Sequence, residues 1–387
     1  MFNTFEEFSN WLELSKNFDS KTIKDIYKFM QTFPMADFTD YMKASKKLCK
    51  GTPIAEVILK YEKHIQSIGE KDGDMFYEVI RMPDVLEEMI EDMNNGVMKG
   101  STTHIPLIDE AWKWRETEFT LFTGNNNDGK SLFLRYLALI KGIKDGWETA
   151  IYAPEDWPAK TFFDELIFTA SGYPTDKDHP NAIGEEIYRR TAKQIERYFN
   201  FVSMRPPKNT LENVLKAFIP VIEQRGAKIC IIDPLVKITR PKELSDNDAQ
   251  YAAYVTSICT DFARRYCVEL IMVLHQLTPK IQENGKYAKP DKYSIKGGGN
   301  YSDSSDNVLF MQRPEAPHDN NDTLVRFGSL KIKKQRLVAI PQEVMFRFNR
   351  KTNRYVDESS GLDLFDFDNA LNIGRAQFLF ANKRRNA

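Results

Sequence analysis

The sequence predicts an α/β fold, in which a mostly parallel twisted sheet is flanked by helices, together with a small N-terminal α-helical domain. The first observation is that strand-like apolar runs alternate with helical stretches from about residue 117 onward, as in consecutive parallel β-α-β units. The second is a glycine-rich loop that follows one strand-like run and opens a helical one. The third is that residues before about 85 contain few glycines and place apolar residues three and four positions apart, which is typical of helices.

Composition and charge narrow the class of protein. The chain has 387 residues, in which 54 Lys and Arg nearly balance 55 Asp and Glu and leave a net charge of −1. This balance excludes a generally basic protein that coats nucleic acid, so any DNA or RNA contact must come from a local patch. Hydrophobic residues at 42% and aromatic residues at 12% are enough to build a sizeable core, which excludes global disorder.

Cysteine usage and hydropathy indicate the compartment. The four cysteines form no CxxC pair, which disfavours a structural zinc site or a disulfide framework and favours a reducing compartment. The longest apolar runs have the length of strands rather than of membrane spans, and the N-terminus MFNTFEEFSN is unlike a signal peptide. These features predict a soluble cytoplasmic protein with no membrane contact.

Four segments are predicted along the chain. Residues 1–82 form a helical accessory domain, and residues 83–100 a linker helix whose apolar stripe ends at Asn-Asn-Gly, a helix-stop signal. Residues 101–360 form the α/β domain, and residues 361–387 a tail that is acidic and aromatic and then basic. In the α/β domain we predict strands at 119–123, 149–153, 199–203, 228–232, 269–274, 307–311, 328–333 and 343–348, and helices at 131–143, 210–224 and 249–265. The last strands have no helices between them, which indicates an antiparallel extension of the sheet.

The strongest functional signal is a G-x4-G-K-S motif between the first strand and its helix. This is the required context for a phosphate-binding loop, whose glycines let backbone N–H groups surround phosphate oxygens. Lys130 is expected to reach the β- and γ-phosphates and the Ser131 hydroxyl to bind Mg²⁺. The predicted ligands of ATP, or of another nucleoside or deoxynucleoside triphosphate, are Gly124, Asn125, Asn126, Asn127, Asp128, Gly129, Lys130, Ser131 and Leu132.

Three polar residues follow other strand-like runs and are expected at the same edge of the sheet. Asp233 ends the apolar run KICII and is predicted to hold Mg²⁺, although such an Asp can also be a turn or cap residue. Glu155, with Asp156 as its competitor, follows TAIYA and is the candidate to deprotonate the attacking water. Gln276, in preference to His275, is predicted to sense the γ-phosphate.

These residues resemble those of the ring-shaped replicative helicases of the DnaB and Twinkle type, which have a RecA-like core. The resemblance covers residues 83–357 and rests on an ordered series: the linker helix, the phosphate loop, Glu155, Asp233, Leu-His-Gln-Leu, the glycines 297–299, Asp306-Asn-Val308 and Lys333-Lys-Gln-Arg336. It implies a RecA-like phosphate-loop core. It also implies a homohexameric ring that hydrolyses ATP with Mg²⁺, translocates on single-stranded DNA in the 5′→3′ direction and unwinds forked duplex DNA in a bacterial or phage-infected cell.

The resemblance assigns further residues. Lys334 and Arg336 look like the lysine and arginine that reach the neighbouring subunit's nucleotide, where a guanidinium neutralises charge developing on the γ-phosphate. A solvated basic strand end is the alternative. Arg313 and Phe348 look like the pair that sandwiches the adenine, although Phe348 is equally consistent with a core position.

Two segments are candidates for DNA contact. Segment 278–300 is rich in lysine and also contains Tyr287, Tyr293 and three successive glycines, and segment 239–250 is the second candidate. Lysines and backbone amides bind phosphates without selecting a sequence; mobile charged loops without a ligand are the alternative. The candidate residues are Arg240, Lys242, Lys280, Lys286, Lys289, Lys292 and Lys296.

Other functions and partners stay open at this point. A plasmid-replication or recombination ATPase like RepA or RecA would share the core, and an ATP-switched DNA-binding adaptor or loader would bind DNA without unwinding it. Primase, a helicase loader, a polymerase or a sliding clamp are the protein partners considered. For the clamp, the segment GLDLF at 361–365 resembles a clamp-binding peptide without its leading Gln, and an ordinary terminal strand is the alternative.

Overall fold

The computed structural model describes residues 81–96, 99–276, 281–283, 285–295, 299–315, 319 and 321–373. The chain divides into two units, Met1–Val97 and Met98–Ala387. In the first unit the described residues form helix α1, Met82–Asn95, which confirms the helix predicted there and which has a proline in its first turn and Gly96 after its last residue. The predictions for the rest of 1–82, for Lys280 and Lys296, and for 374–387 lie outside the described residues.

The second unit is built on one sheet, in which nine strands are described. The strands are β1 Phe119–Gly124, β2 Glu148–Tyr152, β3 Phe199–Phe201, β4 Ala227–Ile232, β5 Glu269–His275, β6 Asn307–Gln312, β7 Leu324–Ile332, β8 Glu343–Asn349 and β9 Arg354–Val356. Their order is β3-β2-β4-β5-β1-β6-β7-β8-β9. The first six, β1 to β6, pair in parallel, and β7, β8 and β9 extend the sheet antiparallel to their neighbours.

Helices cover both faces of the parallel part of the sheet. The helices described in this unit are α2 Pro106–Ala111, α3 Lys130–Asp145, α4 Ala159–Ser171, α5 Glu185–Ile195, α6 Leu211–Arg225, α7 Asp248–Arg265, α8 Asn300–Ser304 and α9 Phe367–Ala370. Thr210 and Asn247 accept hydrogen bonds from the first turns of α6 and α7, and Gly146, Gly172 and Gly226 end α3, α4 and α6 in the left-handed conformation.

The core lies in two layers, one on each face of the sheet. Helices α3, α4 and α5 pack on one face, where Phe133 and Leu137 contribute to the first cluster. Helices α6 and α7 pack on the other, where Phe218 and Val255 contribute to the second. Strands β1, β4 and β5 are buried along nearly their whole length, as expected for parallel strands that are covered on both faces.

The predicted elements agree with the structure within a few residues. Each predicted strand is present, and the antiparallel extension is confirmed. The strand predicted at 328–333 begins four residues earlier, at Leu324, because residues 324–327 pair with β8 and 326–328 also with β6. Strand β9 was not predicted; it has three residues and centres on the buried Tyr355.

Residues 361–373, predicted as the first part of the tail, pack against the sheet and helices of the second unit, to which they belong. The buried Arg354 guanidinium pairs with Asp363 at 3.0 Å and with Asp368 at 3.1 Å, and Phe365 and Phe367 are buried. In the GLDLF segment Asp363 forms an isolated bridge with Val356, whereas Leu362 is 71% exposed. Binding of this segment to a sliding clamp remains a prediction. Among the described residues no helix has the length and apolar character that a membrane span requires.

Candidate active site

The phosphate loop, Asp233 and Gln276 meet where strands β1, β4 and β5 end. These strands are neighbours in the sheet and run in parallel, so their carboxyl ends share one edge. Gly124 pairs in register with His275, the last residue of β5. This edge, at which helices start and strands end, is where α/β folds of this kind bind ligands.

The phosphate loop is shaped by two glycines, each for a different reason. A Cβ on Gly124 would lie 2.2 Å from the carbonyl oxygen of Met311, so the backbone approach at the end of β1 requires glycine. Gly129 has φ of 87°, in the left-handed region, and immediately precedes helix α3. The loop therefore delivers the N-terminus of a sixteen-residue helix to the site, where backbone N–H groups favour an anion.

Lys130 lies inside the loop with its side chain folded back on it. Its ammonium Nζ donates to the carbonyl oxygens of Asn125 at 2.6 Å and Gly124 at 3.1 Å, and the residue is 5% exposed. Burial lowers the pKa of Lys130, while the charges of Asp128, Asp233 and Glu155 act in the opposite direction. The ammonium is therefore held by two loop carbonyl oxygens, within electrostatic range of these three carboxylates.

Asp128, predicted as a nucleotide ligand, supports the loop from within. One carboxylate oxygen accepts from the backbone N–H of Asn125 at 2.8 Å, and the other accepts from the backbone N–H of Arg313 at 3.2 Å. Burial raises the pKa of Asp128 to about 6, and these two hydrogen bonds oppose the shift. The carboxylate thus ties the phosphate loop to the end of β6, a role that its position in the motif did not indicate.

Asp233 and Ser131, the residues predicted to hold Mg²⁺, contact each other. Asp233 follows β4, is buried, and accepts a hydrogen bond from the Ser131 side chain. Burial raises the pKa of Asp233, against the opposing effects of the Arg135 charge and of the Ser131 hydrogen bond. A hydroxyl and a buried carboxylate are oxygen donors that suit Mg²⁺ bound together with phosphate oxygens and water, and a buried carboxylate gains from a cation.

Glu155 and Asp156 lie in the 3₁₀ turn Pro154–Asp156 that follows β2, and their side chains have different partners. Glu155 is half-exposed and its Oε1 lies 3.1 Å from the ammonium of Lys237. Asp156 pairs instead with the buried guanidinium of Arg135, at 3.2 Å. Glu155 is therefore the more accessible of the two carboxylates and lies within electrostatic range of Lys130.

Arg135 is a residue of the site that the sequence did not indicate. It lies on α3 one turn after Ser131, and its Nε donates to the Ser131 carbonyl oxygen at 3.1 Å. Its other nitrogens contact Glu165 on α4 at 2.5 Å and Asp156 at 3.2 Å. A single buried guanidinium therefore joins the helix of the phosphate loop, the turn that contains Glu155, and helix α4.

Gln276 lies beside the start of the phosphate loop. Its side-chain Nε2 donates to the Thr123 hydroxyl at 3.0 Å, and its backbone N–H donates to the Gly124 carbonyl oxygen at 3.1 Å. Gln276 is thus held against β1, at the edge where phosphate would bind. Its role as a sensor of the γ-phosphate remains a prediction.

Arg313 immediately follows β6, and Phe348 lies on β8 in the antiparallel extension. The Arg313 guanidinium donates to the Asp322 carbonyl oxygen at 2.7 Å. Phe348 pairs through its backbone with Thr323, packs against Tyr355 at 5.3 Å between ring centroids, and lines an open cavity of about 330 Å³. Phe348 is thus partly a core residue and partly a cavity wall, and the adenine sandwich remains a prediction.

Lys334 and Arg336 lie at the opposite edge of the sheet. The Lys334 ammonium is 3.4 Å from the buried carboxylate of Glu118, which immediately precedes β1, and Arg336 is exposed in the same turn. Strand β1 has six residues, so this edge is about 20 Å from the phosphate loop at about 3.3 Å per residue. An arginine side chain cannot cover that distance, so Arg336 cannot reach the phosphate loop of its own chain.

The predicted DNA-binding residues are divided between exposed and paired side chains. Arg240 pairs with Asp248 at 2.7 Å and lies over the Tyr251 ring, whereas Lys242 is exposed. Lys286 and Lys289 pair with Glu315 and Glu343. Lys292 lies over the ring of its neighbour Tyr293. Contact with DNA remains a prediction for all of them.

Solved structures with the same fold include helicase domains. One of them, the ATPase domain of a helicase, is similar with a TM-score of 0.60 and 14% identity, over 72% of this chain and 99% of that one. A DnaB-like replicative helicase, described with its interactions with primase, is similar with a TM-score of 0.58 and 12% identity, over 87% of this chain and 78% of that one. No protein-family model matches the sequence, and no curated protein matches it. The chain thus has the RecA-like α/β fold of DnaB-type helicase ATPase domains.

Proposed function

We propose that the protein is a replicative DNA helicase, a ring motor that hydrolyses ATP at the interfaces between its subunits. The observation that supports this best is the division of the predicted residues between two edges of one sheet. Lys130, Ser131, Asp233 and Gln276 meet at one edge, and Arg336 lies at the other. The phosphate-loop edge of one chain can then be completed by Arg336 of a second copy. In a closed ring of copies, every nucleotide site receives an Arg336 from its neighbour.

The proposed reaction is attack of a water oxygen on the γ-phosphorus of ATP. The bond to the ADP oxygen breaks as the new bond forms, and Glu155 accepts the proton that the water loses. Lys130 and the backbone of the phosphate loop bind the phosphates, Gln276 contacts the γ-phosphate, and Arg336 of a neighbouring copy neutralises charge that develops on it. Mg²⁺, held by Ser131 and Asp233, would supply positive charge at the phosphate oxygens when bound.

We propose that segments 239–250 and 278–300 contact single-stranded DNA and move it as ATP is hydrolysed. The first begins six residues after Asp233, and the second follows Gln276 at the end of β5. Changes at the γ-phosphate therefore have a short path along the chain to the residues proposed to contact single-stranded DNA. A hexameric ring, 5′→3′ movement and a primase partner are proposed from the likeness to DnaB-type helicases.

The test combines strand displacement on forked DNA with ATP hydrolysis measured with and without single-stranded DNA. We expect DNA-stimulated hydrolysis and displacement, both lost in Lys130→Ala. Lys144→Ala is the matched control, because Lys144 is exposed at the far end of the same helix, and we expect it to keep both activities. Stimulated hydrolysis without displacement would instead favour a recombination ATPase or a loader, and displacement by Lys130→Ala would contradict the mechanism.

A further inference from the structure

The proposed base Glu155 is joined to the loop after β4 by an ion pair. Lys237 is the last residue of the 3₁₀ turn Leu235–Lys237, which follows Asp233 after one residue. Its ammonium lies 3.1 Å from Glu155 Oε1, and the two side chains are 50% and 48% exposed. The pair therefore bridges the turn after β2 and the turn after β4, and solvent reaches both of its members.

The backbone on either side of this lysine is held firmly. The buried Asn209 donates from its side-chain amide to the Lys237 carbonyl oxygen at 2.6 Å. The Asn209 backbone carbonyl oxygen accepts from the Thr239 backbone N–H at 2.9 Å, and the Asn209 side-chain oxygen accepts from the Thr239 hydroxyl at 2.7 Å. Any change of partner at Lys237 is therefore a rotation of its long side chain over a fixed backbone.

We propose that Lys237 is a positioning residue that occupies the Glu155 carboxylate until a phosphate of single-stranded DNA takes its ammonium. The inference rests on the proposed function and assigns a regulatory role within the same site. A general base needs a free oxygen that faces the water it deprotonates. With Oε1 engaged by the ammonium, Glu155 is less available for that proton, and hydrolysis is slow.

A DNA phosphate is the competitor that the position of Lys237 favours. The lysine lies two residues before segment 239–250, where Arg240 is drawn into the fold by Asp248 and Tyr251. The ammonium of Lys237, by contrast, is half-exposed and can rotate toward single-stranded DNA that lies along this segment. Because lysine binds a phosphate diester as a point charge, the exchange requires no particular base.

The weakness of the pair limits the size of the effect. Ion pairs between exposed side chains contribute little, so occupation of Glu155 slows hydrolysis by about twofold to fivefold. Stimulation by DNA beyond that factor must arise elsewhere in the ring. Because the ion pair is weak, a DNA phosphate can displace Glu155 from Lys237 at little cost in free energy.

The test uses the intact protein. The kcat and KM of ATP hydrolysis are measured without and with oligo-dT, and the affinity for oligo-dT is measured at several salt concentrations. Lys237→Met should raise kcat without DNA by about twofold to fivefold, leave KM for ATP unchanged, and reduce the stimulation by DNA correspondingly. The slope of log affinity against log salt should become shallower by about 0.7, the value for one phosphate contact on a single strand. Lys237→Arg, which keeps the charge, should restore the low rate.

The matched control is Lys228→Met. Lys228 is 44% exposed and pairs with Glu116 at 3.0 Å, at the other end of β4, so its loss should change neither kcat nor the salt slope. A DNA-free kcat that is unchanged or lower in Lys237→Met, in a protein whose wild type shows DNA-stimulated hydrolysis, would overturn the inference and leave the proposed function standing. A wild type that hydrolyses no ATP would overturn both.

Discussion

At the scale of single residues, Asp128 shows how a short loop keeps its shape. The two hydrogen bonds that its carboxylate accepts come from Asn125, three residues away, and from Arg313, which is 185 residues away. Both donors are backbone N–H groups. Without the Asp128 carboxylate they would lack this hydrogen-bond acceptor inside the protein, which costs free energy. The loop that should surround the phosphates is thus anchored to a distant strand by one side chain.

Replacing this carboxylate should loosen the loop. Asp128→Ala leaves both N–H groups without an acceptor, so we expect the free energy of unfolding to fall by about 1–3 kcal/mol. Affinity for ATP should fall as well, because the loop backbone is less ordered. Chemical denaturation and nucleotide titration measure the two effects. Asn126→Ala is the control for stability, because Asn126 is exposed in the same loop; equal stability of the two variants would contradict the anchoring role.

At the scale of elements, three carboxylates lie where strands β1, β5 and β6 begin. Glu118 and Asp306 immediately precede β1 and β6, and Glu269 is the first residue of β5. Glu269 accepts hydrogen bonds from the Thr120 hydroxyl at 2.5 Å and from the Arg115 backbone N–H at 2.9 Å. Burial nevertheless raises the pKa of Glu269 well above its ordinary value, and the nearby charges of Glu118 and Asp306 raise it further.

This raised pKa predicts how stability depends on pH. A carboxyl with a higher pKa in the folded state stabilises the fold below its unfolded pKa, and this stabilisation is lost as pH rises through the folded pKa. Glu269→Gln should remove that loss, so its melting temperature should exceed that of the wild type by several degrees at pH 8 and by less at pH 5. Thermal unfolding between pH 5 and 8 measures the difference.

Asp357→Asn supplies the contrasting control. Hydrogen bonds from Ser359 and Ser360 lower the pKa of the partly exposed Asp357 to about 2. The ionised Asp357 therefore stabilises the fold above the ordinary pKa of Asp, and this stabilisation is lost only as pH falls toward 2. The change in melting temperature caused by Asp357→Asn should therefore stay constant between pH 5 and 8. An effect of Glu269→Gln that also stayed constant over this range would show that Glu269 does not titrate as proposed.

Arg135 joins three elements through one side chain, and a lysine cannot replace it. A single ammonium cannot reach the Ser131 carbonyl oxygen, Asp156 and Glu165 at once, as the planar guanidinium does. We expect Arg135→Lys to lower stability by about 1–2 kcal/mol and to lower kcat by about tenfold, because the turn that contains Glu155 shifts.

The control for Arg135→Lys is the same substitution at an exposed ion pair. Arg189 pairs with Glu185 at 2.8 Å on the surface of α5, where both side chains are more than three-quarters exposed. Arg189→Lys should leave stability and ATP hydrolysis unchanged. If Arg135→Lys kept the wild-type kcat, the turn after β2 would not depend on this guanidinium.

The elements that the sequence predicted well are those with a local signal. Strands β1, β4 and β5 are continuous apolar runs, and the phosphate loop has its glycines at fixed spacing, so both can be recognised within a few residues of chain. Asp233 and Gln276 could be assigned to the same edge because parallel strands end together.

The elements and roles that could not be predicted depend on distant partners. Strand β9 has three residues, which is too short for any periodicity, and includes the charged Arg354, whose burial depends on Asp363, Asp368 and the carbonyl oxygens of α4. The roles of Arg135, Asp128 and Lys237 likewise arise from contacts made across the fold. Arg135 and Lys237 lie outside any motif, and the motif that contains Asp128 does not specify the residue at that position.

At the scale of the whole molecule, the position of Arg336 determines how the sites must be shared. The turn that includes Lys334 and Arg336 is fixed to the start of β1 by the pair with Glu118, and a second pair joins Lys333 to Asp306 at 3.1 Å. Both partners are buried carboxylates, so the turn has a firm base at the edge opposite the phosphate loop. A function of Arg336 in catalysis therefore requires a second chain whose phosphate loop faces this edge.

Mixing two inactive variants tests that requirement. Arg336→Ala and Glu155→Ala should each hydrolyse little ATP alone. In rings assembled from equal amounts of both, about a quarter of the interfaces should combine an intact Glu155 from one chain with an intact Arg336 from the next, so activity should reappear. Mixing Glu155→Ala with Lys130→Ala is the control, because every site then has one of the two defects at its phosphate-loop edge and no activity should return. If the mixture with Arg336→Ala stays as inactive as this control, Arg336 does not complete the site of a neighbouring chain.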